Sequence, residues 1–508
     1  MNRVKGINKW VIALSVMLPT IMEIVDTTIV NVSLPHIRGS LSVGLDESTW
    51  ILTSYLVSNA IIIPITGWLG NTFGRKRYLM FSIFAFTVMS FLCGYADSFY
   101  MLVAFRFLQG IAGGGLQPIS QAILLESFPK EQRGLAMAVF GMGVVVGPVL
   151  GPVFGGWITD NWGWRWIFYI NIPVGILSFI MINMFVFDPD YISNSKKTKI
   201  DYVGLSLLTV GVGALQILLD NAQRKDWFAS HFITTLAILS AISLTLFVIN
   251  ELKVKNPVVN LRIFRHPSFS IGNMIMFFGF FGFFGTIVLL PLYLQNLMGY
   301  TAFLAGLVLG PGALTTFLFM PLSGKLLERG FDARRLLFVG LAMNAVAVYI
   351  MAHFNLSADF WYVIMPRGLQ GIAVAFFFVP LAAATFANVE NEEVGNASGI
   401  FNFIKNIGGS FGTSIVMTIL TRREQFHQSR LVENLTPSND AFNSARVFLS
   451  HTFSSASQQF GIIYKELLKQ SSMLAFNDAF YFCAVIFILL MPTVLIMRKP
   501  QRASKPYE

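Results

Sequence analysis

Fourteen apolar runs of about twenty residues, separated by short charged or Gly/Pro-rich breaks, leave this chain few ways to fold. They fall near 10–34, 49–69, 78–96, 99–125, 134–158, 166–187, 202–220, 231–250, 270–294, 302–323, 334–353, 360–385, 397–420 and 476–497. At about 1.5 Å rise per residue, a helix of this length crosses the hydrocarbon of a bilayer. Within lipid every backbone N–H and C=O must be bonded inside the segment, which helices achieve. The chain is 55% hydrophobic and only 12% charged, where soluble domains carry about 25% charged residues. The fold class expected is therefore an all-α polytopic membrane protein with the lipid bilayer as its solvent.

The first run, Trp10–Leu34, is interrupted by two acids, Glu23 and Asp26. Three residues apart, they share one face of a helix. A carboxylate at the centre of a membrane helix costs about 2.5–3.5 kcal/mol on insertion scales. Two readings stand side by side. The acids lie near a membrane edge or are tied up in a structural hydrogen bond, or they face the bundle interior as a proton- or ligand-binding site.

The formal net charge is +10, and its distribution bears on what the chain meets. With the N-terminus inside the cell, twenty-three Lys and Arg fall in the inner segments and four (Arg38, Arg165, Arg224, Lys225) in the short outer loops. This is the positive-inside pattern, so the basic excess orients the protein and meets anionic lipid; no nucleic-acid partner is indicated. Both termini are expected in the cytoplasm. Arg3, Lys5 and Lys9 before an apolar segment resemble a signal peptide. The segment is too long, carries acids and is followed by many similar spans, so it reads as a retained first helix. Cys93 and Cys483 both lie inside apolar runs, which indicates neither a disulfide framework nor a thiolate metal site.

An internal repeat divides the chain. Arg106-Phe-Leu-Gln-Gly110 recurs as Arg367-Gly-Leu-Gln-Gly371, and Gly134, Gly147 and Gly151 meet Gly395, Gly408 and Gly412 at the same offset. Pro64-Ile-Thr-Gly67 recurs as Pro321-Leu-Ser-Gly324, and Leu34-Pro35 as Leu290-Pro291. Ordered anchors at nearly one offset imply two homologous six-helix bundles with two helices inserted between them, a 6+2+6 arrangement. The expected division is 1–187, 188–269 and 270–508, the last including a long outer loop, 421–475. Halves of this kind place a binding site between them at mid-membrane depth.

Five stretches carry candidate function. The loop after the second span, Gly67-Trp-Leu-Gly-Asn71-Thr-Phe-Gly74-Arg75-Lys76-Arg77, combines glycines for tight geometry with bases that can pair with acids or helix C-termini of a neighbouring bundle. In the fourth span Arg106 is followed by Gln109; an arginine at that depth must pair with a carboxylate or with backbone carbonyls. In the fifth, Gly143, Gly147, Gly151 and Gly155 line one face, with Pro148 and Pro152 beside them. Such a glycine groove lets another backbone approach closely, and packing alone is its plainest reading. In the thirteenth, Lys405 places a cation across from the acids of the first half. It can bind anionic substrates or pair structurally with a carboxylate. The loop 421–475 is polar and rich in Ser, Asn and Gln, with a helix-like Phe460–Lys469; a loop of this length either docks a partner or acts as a tether.

Together with the repeat, the Gly67–Arg77 loop matches the signature loop of the major facilitator superfamily, with Asn71 where the usual residue is Asp; an ionic latch at that position is in doubt. Arg106-x-x-Gln109-Gly110 meets a pattern in which relatives place the Arg close to the acidic helix and implicate it in proton transfer. Gly147-Pro-Val-Leu-Gly-Pro-Val-Phe-Gly-Gly156 resembles the antiporter motif of drug-exporting members. Asp26–Pro35, Trp164–Pro173, Asp201–Gly204 and Leu215–Asp220 look like the fourteen-span drug:proton antiporters of the EmrB/QacA type, and the long loop favours the EmrB branch. The resemblance implies a proton-coupled, alternating-access exporter of hydrophobic and amphipathic drugs in a bacterial inner membrane. It implies protonation of Asp26 or Glu23 with Arg106 beside them, and no cofactor beyond the proton motive force. It also implies a periplasmic adaptor and a TolC-like outer-membrane channel as partners.

Two other functions compete: an uptake symporter for a small nutrient, against which the span-five motif speaks, and a membrane sensor or enzyme without transport. The second would need a constellation outside the membrane, and 421–475 offers only His427, His451 and scattered serines. No GxxxxGK[ST] phosphate cradle is present, which disfavours ATP-driven transport.

Overall fold

The computed structural model describes residues 8–189, 191, 200–453 and 455–497; Arg3, Lys5, the basic residues at 196–199 and those beyond 497 lie outside them. Among the described residues, thirteen helices are long and apolar enough to cross a membrane. The 30-residue helix Arg133–Trp162 packs among them as a fourteenth. In chain order they are α1 (Lys9–Leu41), α2 (Asp46–Phe73), α3 (Arg75–Tyr95), α4 (Phe99–Ser127), α5 (Arg133–Trp162), α6 (Trp166–Phe185), α7 (Tyr202–Asn221), α8 (His231–Lys253), α9 (Pro267–Asn296), α10 (Ala302–Glu328), α11 (Ala333–Met351), α12 (Phe360–Phe386), α13 (Val394–Val432) and α14 (Ala456–Ile496).

Local chemistry sets many of the ends. Asn8, Ser98, Asp201, Thr301, Asp332 and Asp359 each accept a backbone N–H in the first turn of the helix they cap, which satisfies donors that would otherwise go unbonded. Gly74 (φ +88°) breaks the chain between α2 and α3, and Gly163 (φ +87°) between α5 and α6, in a region that residues with a Cβ avoid. Two spans are interrupted midway. α2 passes through a 3₁₀ turn at Ile63–Ile65, where Pro64 removes a donor, and α4 is broken at Gly114–Gly115 before resuming at Leu116.

α1 packs on α5 and α6, α2 on α4, α9 on α13, and α10 on α12, which also packs on α11. The first six helices meet the last six where α5 lies along α10 and α12, and where α13 crosses α2 and the second part of α4. α7 and α8 pack on each other, and α7 touches both α2 and α13. The helices alternate between two faces of the bundle: a first face, with Lys9, Gly74, Arg133 and Asp332, and a second, with Leu41, Gly163 and Met351. Lys9 is fixed to the first face by its bond to Gln132.

The region read as a polar loop, 421–475, is largely helix. α13 runs on through Val432 and α14 begins at Ala456, so both spans continue out of the bundle, joined through the short helix Asp440–Ser450. Hydropathy ends where lipid ends, whereas the helix does not. The projecting rods are tied by Asp478 on α14, which accepts from Arg423 Nε at 2.5 Å and bonds His427 Nε2 at 2.6 Å, both on α13. Phe442 of the short helix packs on Phe460.

Candidate functional site

Both acids of α1 face the bundle interior. Asp26 is fully buried and engaged at both oxygens. Its Oδ2 accepts from Arg106 Nη1 at 2.6 Å; its Oδ1 accepts from Asn171 Nδ2 at 2.7 Å and Gln109 Nε2 at 3.1 Å. Arg106 is fully buried too; it donates also to Gln109 Oε1 (2.8 Å) and Ile51 O (3.4 Å), and its guanidinium lies 4.2 Å from the centroid of the Tyr55 ring. Asn171 is held by Ser90 Oγ, which donates to Phe168 O. An ion pair stripped of water in this way offsets its desolvation only when the remaining lone pairs and protons are bonded, and here both Asp26 oxygens and the Arg106 Nε and Nη1 have partners. Both acids are thus turned away from the outer surface of the bundle.

Glu23 lies one turn nearer the first face and serves a different connection. Tyr55 Oη (3.1 Å) and Asn59 Nδ2 (3.2 Å) donate to its Oε1, and Gln117 Nε2 (2.5 Å) to its Oε2. Gln117 then accepts from Lys405 Nζ at 2.8 Å, and Lys405 also donates to Asn402 Oδ1 at 3.1 Å. One amide thus joins a buried carboxylate on α1 to a buried ammonium on α13.

From that bridge a ladder of polar contacts descends to the first face. Asn402 Nδ2 and Ser398 Oγ both donate to Gln121 Oε1, at 2.6 and 2.7 Å, and Ser398 also reaches Pro118 O at 2.8 Å. Arg133 donates to Phe386 O (2.7 Å) and Asn391 Oδ1 (2.9 Å), and Gln132 Nε2 to Glu328 Oε1 (2.9 Å). Together with the neighbouring Tyr191–Asn391 contact, this ladder joins the first six helices to the last six near the first face. The first face is shut.

The Gly67–Arg77 loop explains how. A Cβ on Gly67 would stand 2.5 Å from Asn396 Cα, so glycine there lets α2 and α13 meet backbone to backbone. Arg75 is buried and ion-paired with Glu126 of α4, which also accepts from Tyr191 Oη. Burial pushes the Tyr191 phenol above its ordinary range, keeping it a donor. Lys76 N donates to Asp188 Oδ1 at 2.8 Å, placing a carboxylate at the N-terminus of α3, where the helix dipole favours it. Glu126 and Asp188 are thus the carboxylates that meet the basic end of this loop.

Gly143, Gly147, Gly151 and Gly155 do not line an open cavity. A Cβ on any of the four would run into α1, at Met17, Ile24, Thr28 and Ile29 in turn, and Thr28 Oγ1 donates to Gly147 O at 3.3 Å. They are the groove that seats the acid-bearing helix, with Pro148 beside it, half-buried. The structure thus gathers Asp26, Arg106 and Gln109 at one centre and joins Glu23 to Lys405 at a second. The glycines stand behind both, and the loop residues lie at the first face. Asn171, Gln117, Tyr55, Asn59, Gln121, Glu126 and Asp188 escaped the sequence reading; the signal for the first four was a neutral polar side chain in an apolar run. Two clefts flank α7 away from the acids. One, about 540 Å³, is walled by residues of α2, α4 and α7 that include Trp50, Tyr100 and Phe107. The other, about 350 Å³, lies between Trp227 and the Arg422–Arg423 end of α13.

Fourteen long helices, closed together at one face over buried charge, define an all-helical polytopic membrane protein. The sequence matches the family profile described as Major Facilitator Superfamily over residues 16–413, and the chain belongs to that superfamily. It is 38% identical to the Fatty acid resistance protein FarB of Neisseria gonorrhoeae over 97% of this chain and 96% of the relative. It is 36% identical to the Multidrug export protein EmrB of Escherichia coli K12 over 98% and 96%. Among solved structures, the human organic anion transporter MFSD10 superposes with a TM-score of 0.62 at 12% identity, covering 96% of this chain and all of that one. The proton:xylose symporter XylE superposes at 0.59 and 14%, covering 96% and 99%. These two likenesses concern the fold alone.

Proposed function

We propose that this chain exports hydrophobic and amphipathic compounds from the cytoplasm in exchange for protons, by alternating access between two six-helix halves (1–187 and 270–508) around the inserted 188–269. The observation that carries the reading is the pair of buried acids on α1, one sealed against Arg106 and the other bridged through Gln117 to Lys405. The printed names of FarB and EmrB, a fatty acid resistance protein and a multidrug export protein, support it.

In this reading the first face is cytoplasmic, as the basic loops require, and the structure is the state closed to the cytoplasm. When Glu23 takes a proton, the charge facing Lys405 across Gln117 is lost. The strap between α4 and α13 then slackens, the ladder below it parts, and cargo enters from the cytoplasmic side. Asp26 exchanges its proton more slowly because Arg106, Gln109 and Asn171 must let go together. One charge crossing 100 mV yields about 2.3 kcal/mol. At about 1.4 kcal/mol per tenfold gradient, one proton sustains a cargo gradient of roughly 40-fold. The protein sits in a bacterial inner membrane, both termini in the cytoplasm, and the α13–α14 hairpin stands in the periplasm. There its exposed Val447 and Phe448 meet an adaptor that leads to a TolC-like outer-membrane channel.

The test is efflux from proteoliposomes under an imposed pH gradient, over acidic, neutral and cationic amphiphiles. Proton-dependent movement opposite to the proton flux is expected; movement with the protons would make the chain an uptake symporter. Removing 436–454 in cells should abolish resistance while leaving proteoliposome efflux intact, and unchanged resistance would remove the adaptor from the scheme.

A further inference from the structure

The two copies of the Arg-x-x-Gln-Gly string end in different company. Arg106 in α4 has Asp26. Arg367 in α12 donates through Nη1 to Gln370, whose Nε2 donates to Thr286 Oγ1 at 2.9 Å. Its guanidinium carbon is 6.0 Å from the centroid of the Phe283 ring, and its Nε has no partner. Among the described residues no carboxylate forms an ion pair with it. The cause is legible in the repeat: at the offset that takes Leu34-Pro35 to Leu290-Pro291, Glu23 and Asp26 become Gly279 and Gly282. The second half has kept the cation and lost both acids.

An uncompensated guanidinium at mid-span costs about 2.5–3.5 kcal/mol on insertion scales. Arg367 is buried too, though less completely than its counterpart, 7% exposed against 0% for Arg106. Beside it stands an apolar wall: Phe280 packs at 5.9 Å on Phe283 and at 5.8 Å on Phe284. A cation at the end of a row of phenylalanines suits a molecule with a negative head and an apolar body.

We propose that Arg367, oriented by Gln370, binds the carboxylate of an acidic amphiphile whose apolar part lies along Phe280, Phe283 and Phe284. The guanidinium offers a planar fork that matches a carboxylate, and the bound anion supplies the charge that α9 lacks. This rests on the export reading and adds to it the residue that selects acidic cargo.

The test uses the full-length protein in phosphatidylcholine vesicles with an imposed pH gradient. Dodecanoate, ethidium and the uncharged dye Nile red serve as cargo, and wild type is compared with Arg367→Gln and Arg367→Lys. Arg367→Gln is expected to slow dodecanoate export at least tenfold and to leave other exported cargo within twofold, while Arg367→Lys keeps most dodecanoate export. Undiminished dodecanoate export by Arg367→Gln would overturn the assignment. So would an equal loss of every cargo without rescue by Lys, which marks a structural arginine. If wild type exports nothing, the export reading fails by itself, and dodecanoate binding to the purified protein, followed by tryptophan fluorescence, still judges Arg367. Affinity at least tenfold weaker in Arg367→Gln supports the site, and unchanged affinity sinks it.

Discussion

Asp26 and Arg106 are each other's only opposite charge within ion-pair distance among the described residues, and that dependence shapes what a substitution can report. Removing one member of a buried pair typically costs about 3–5 kcal/mol, because the other is left charged and unpartnered. Asp26→Asn should therefore abolish proton-driven efflux and also lower the thermal midpoint of the purified protein. Asp26→Asn/Arg106→Gln should recover most of the lost stability and none of the efflux. Recovery of efflux in the double variant would show that the pair is structural. Glu23 offers a cleaner experiment. Its three partners all donate; glutamine keeps an acceptor oxygen for Tyr55 and Asn59 but turns an N–H toward Gln117, so Glu23→Gln should fold at a cost of about 1–3 kcal/mol. Efflux by that variant should lose its dependence on the imposed pH gradient; an unchanged gradient dependence would shift proton carriage wholly to Asp26.

At the scale of helices, the meeting of α1 and α5 decides whether the acids are held in register. A side chain at Gly147 or Gly151 would displace Ile24 or Thr28, and overpacking of this kind costs about 1–3 kcal/mol. Gly151→Val should give protein that extracts poorly and melts early, whereas Gly156→Ala, with only Val32 at 4.0 Å, should match wild type; melting curves of the two purified variants decide. The glycine row was legible in the sequence because its spacing is helical. What it faces was not, since one sequence carries no distance between helices. The same limit separates the charged residues from their partners. Glu23, Asp26, Arg106 and Lys405 stand out because charge is rare in apolar runs, but Asn171 and Gln117 do not, because neutral polar residues are common there. The loop 421–475 was misjudged for another reason: its polar composition records departure from lipid, and the helices simply continue into water.

For the whole molecule, the shut first face is a state, and its equilibrium can be moved. Ser398 is fully buried beneath Pro118 and Gln121, and the two native cysteines are buried as well. Ser398→Cys should thus resist a membrane-permeant maleimide. Adding Gly67→Leu, which pushes α2 off the backbone of α13, should expose that cysteine and raise its labelling rate at least tenfold; equal rates would mean that the Gly67 contact does not control closure. The 6+2+6 order was readable from the repeat anchors, whereas the face on which the halves close depends on cross-half pairs such as Arg133 with Phe386 and Asn391, which no local pattern announces.

α13 holds Lys405 in its first third and the root of the hairpin toward its far end, as one unbroken rod of 39 residues. At about 1.5 Å per residue, the arm from Lys405 to Val432 is roughly 40 Å, so a pivot of about 10° at the ammonium sweeps the tip by roughly 7 Å. The rod works as a lever. In the cycle proposed above, each such pivot would be carried into the space beyond the membrane, to whatever rests on the hairpin.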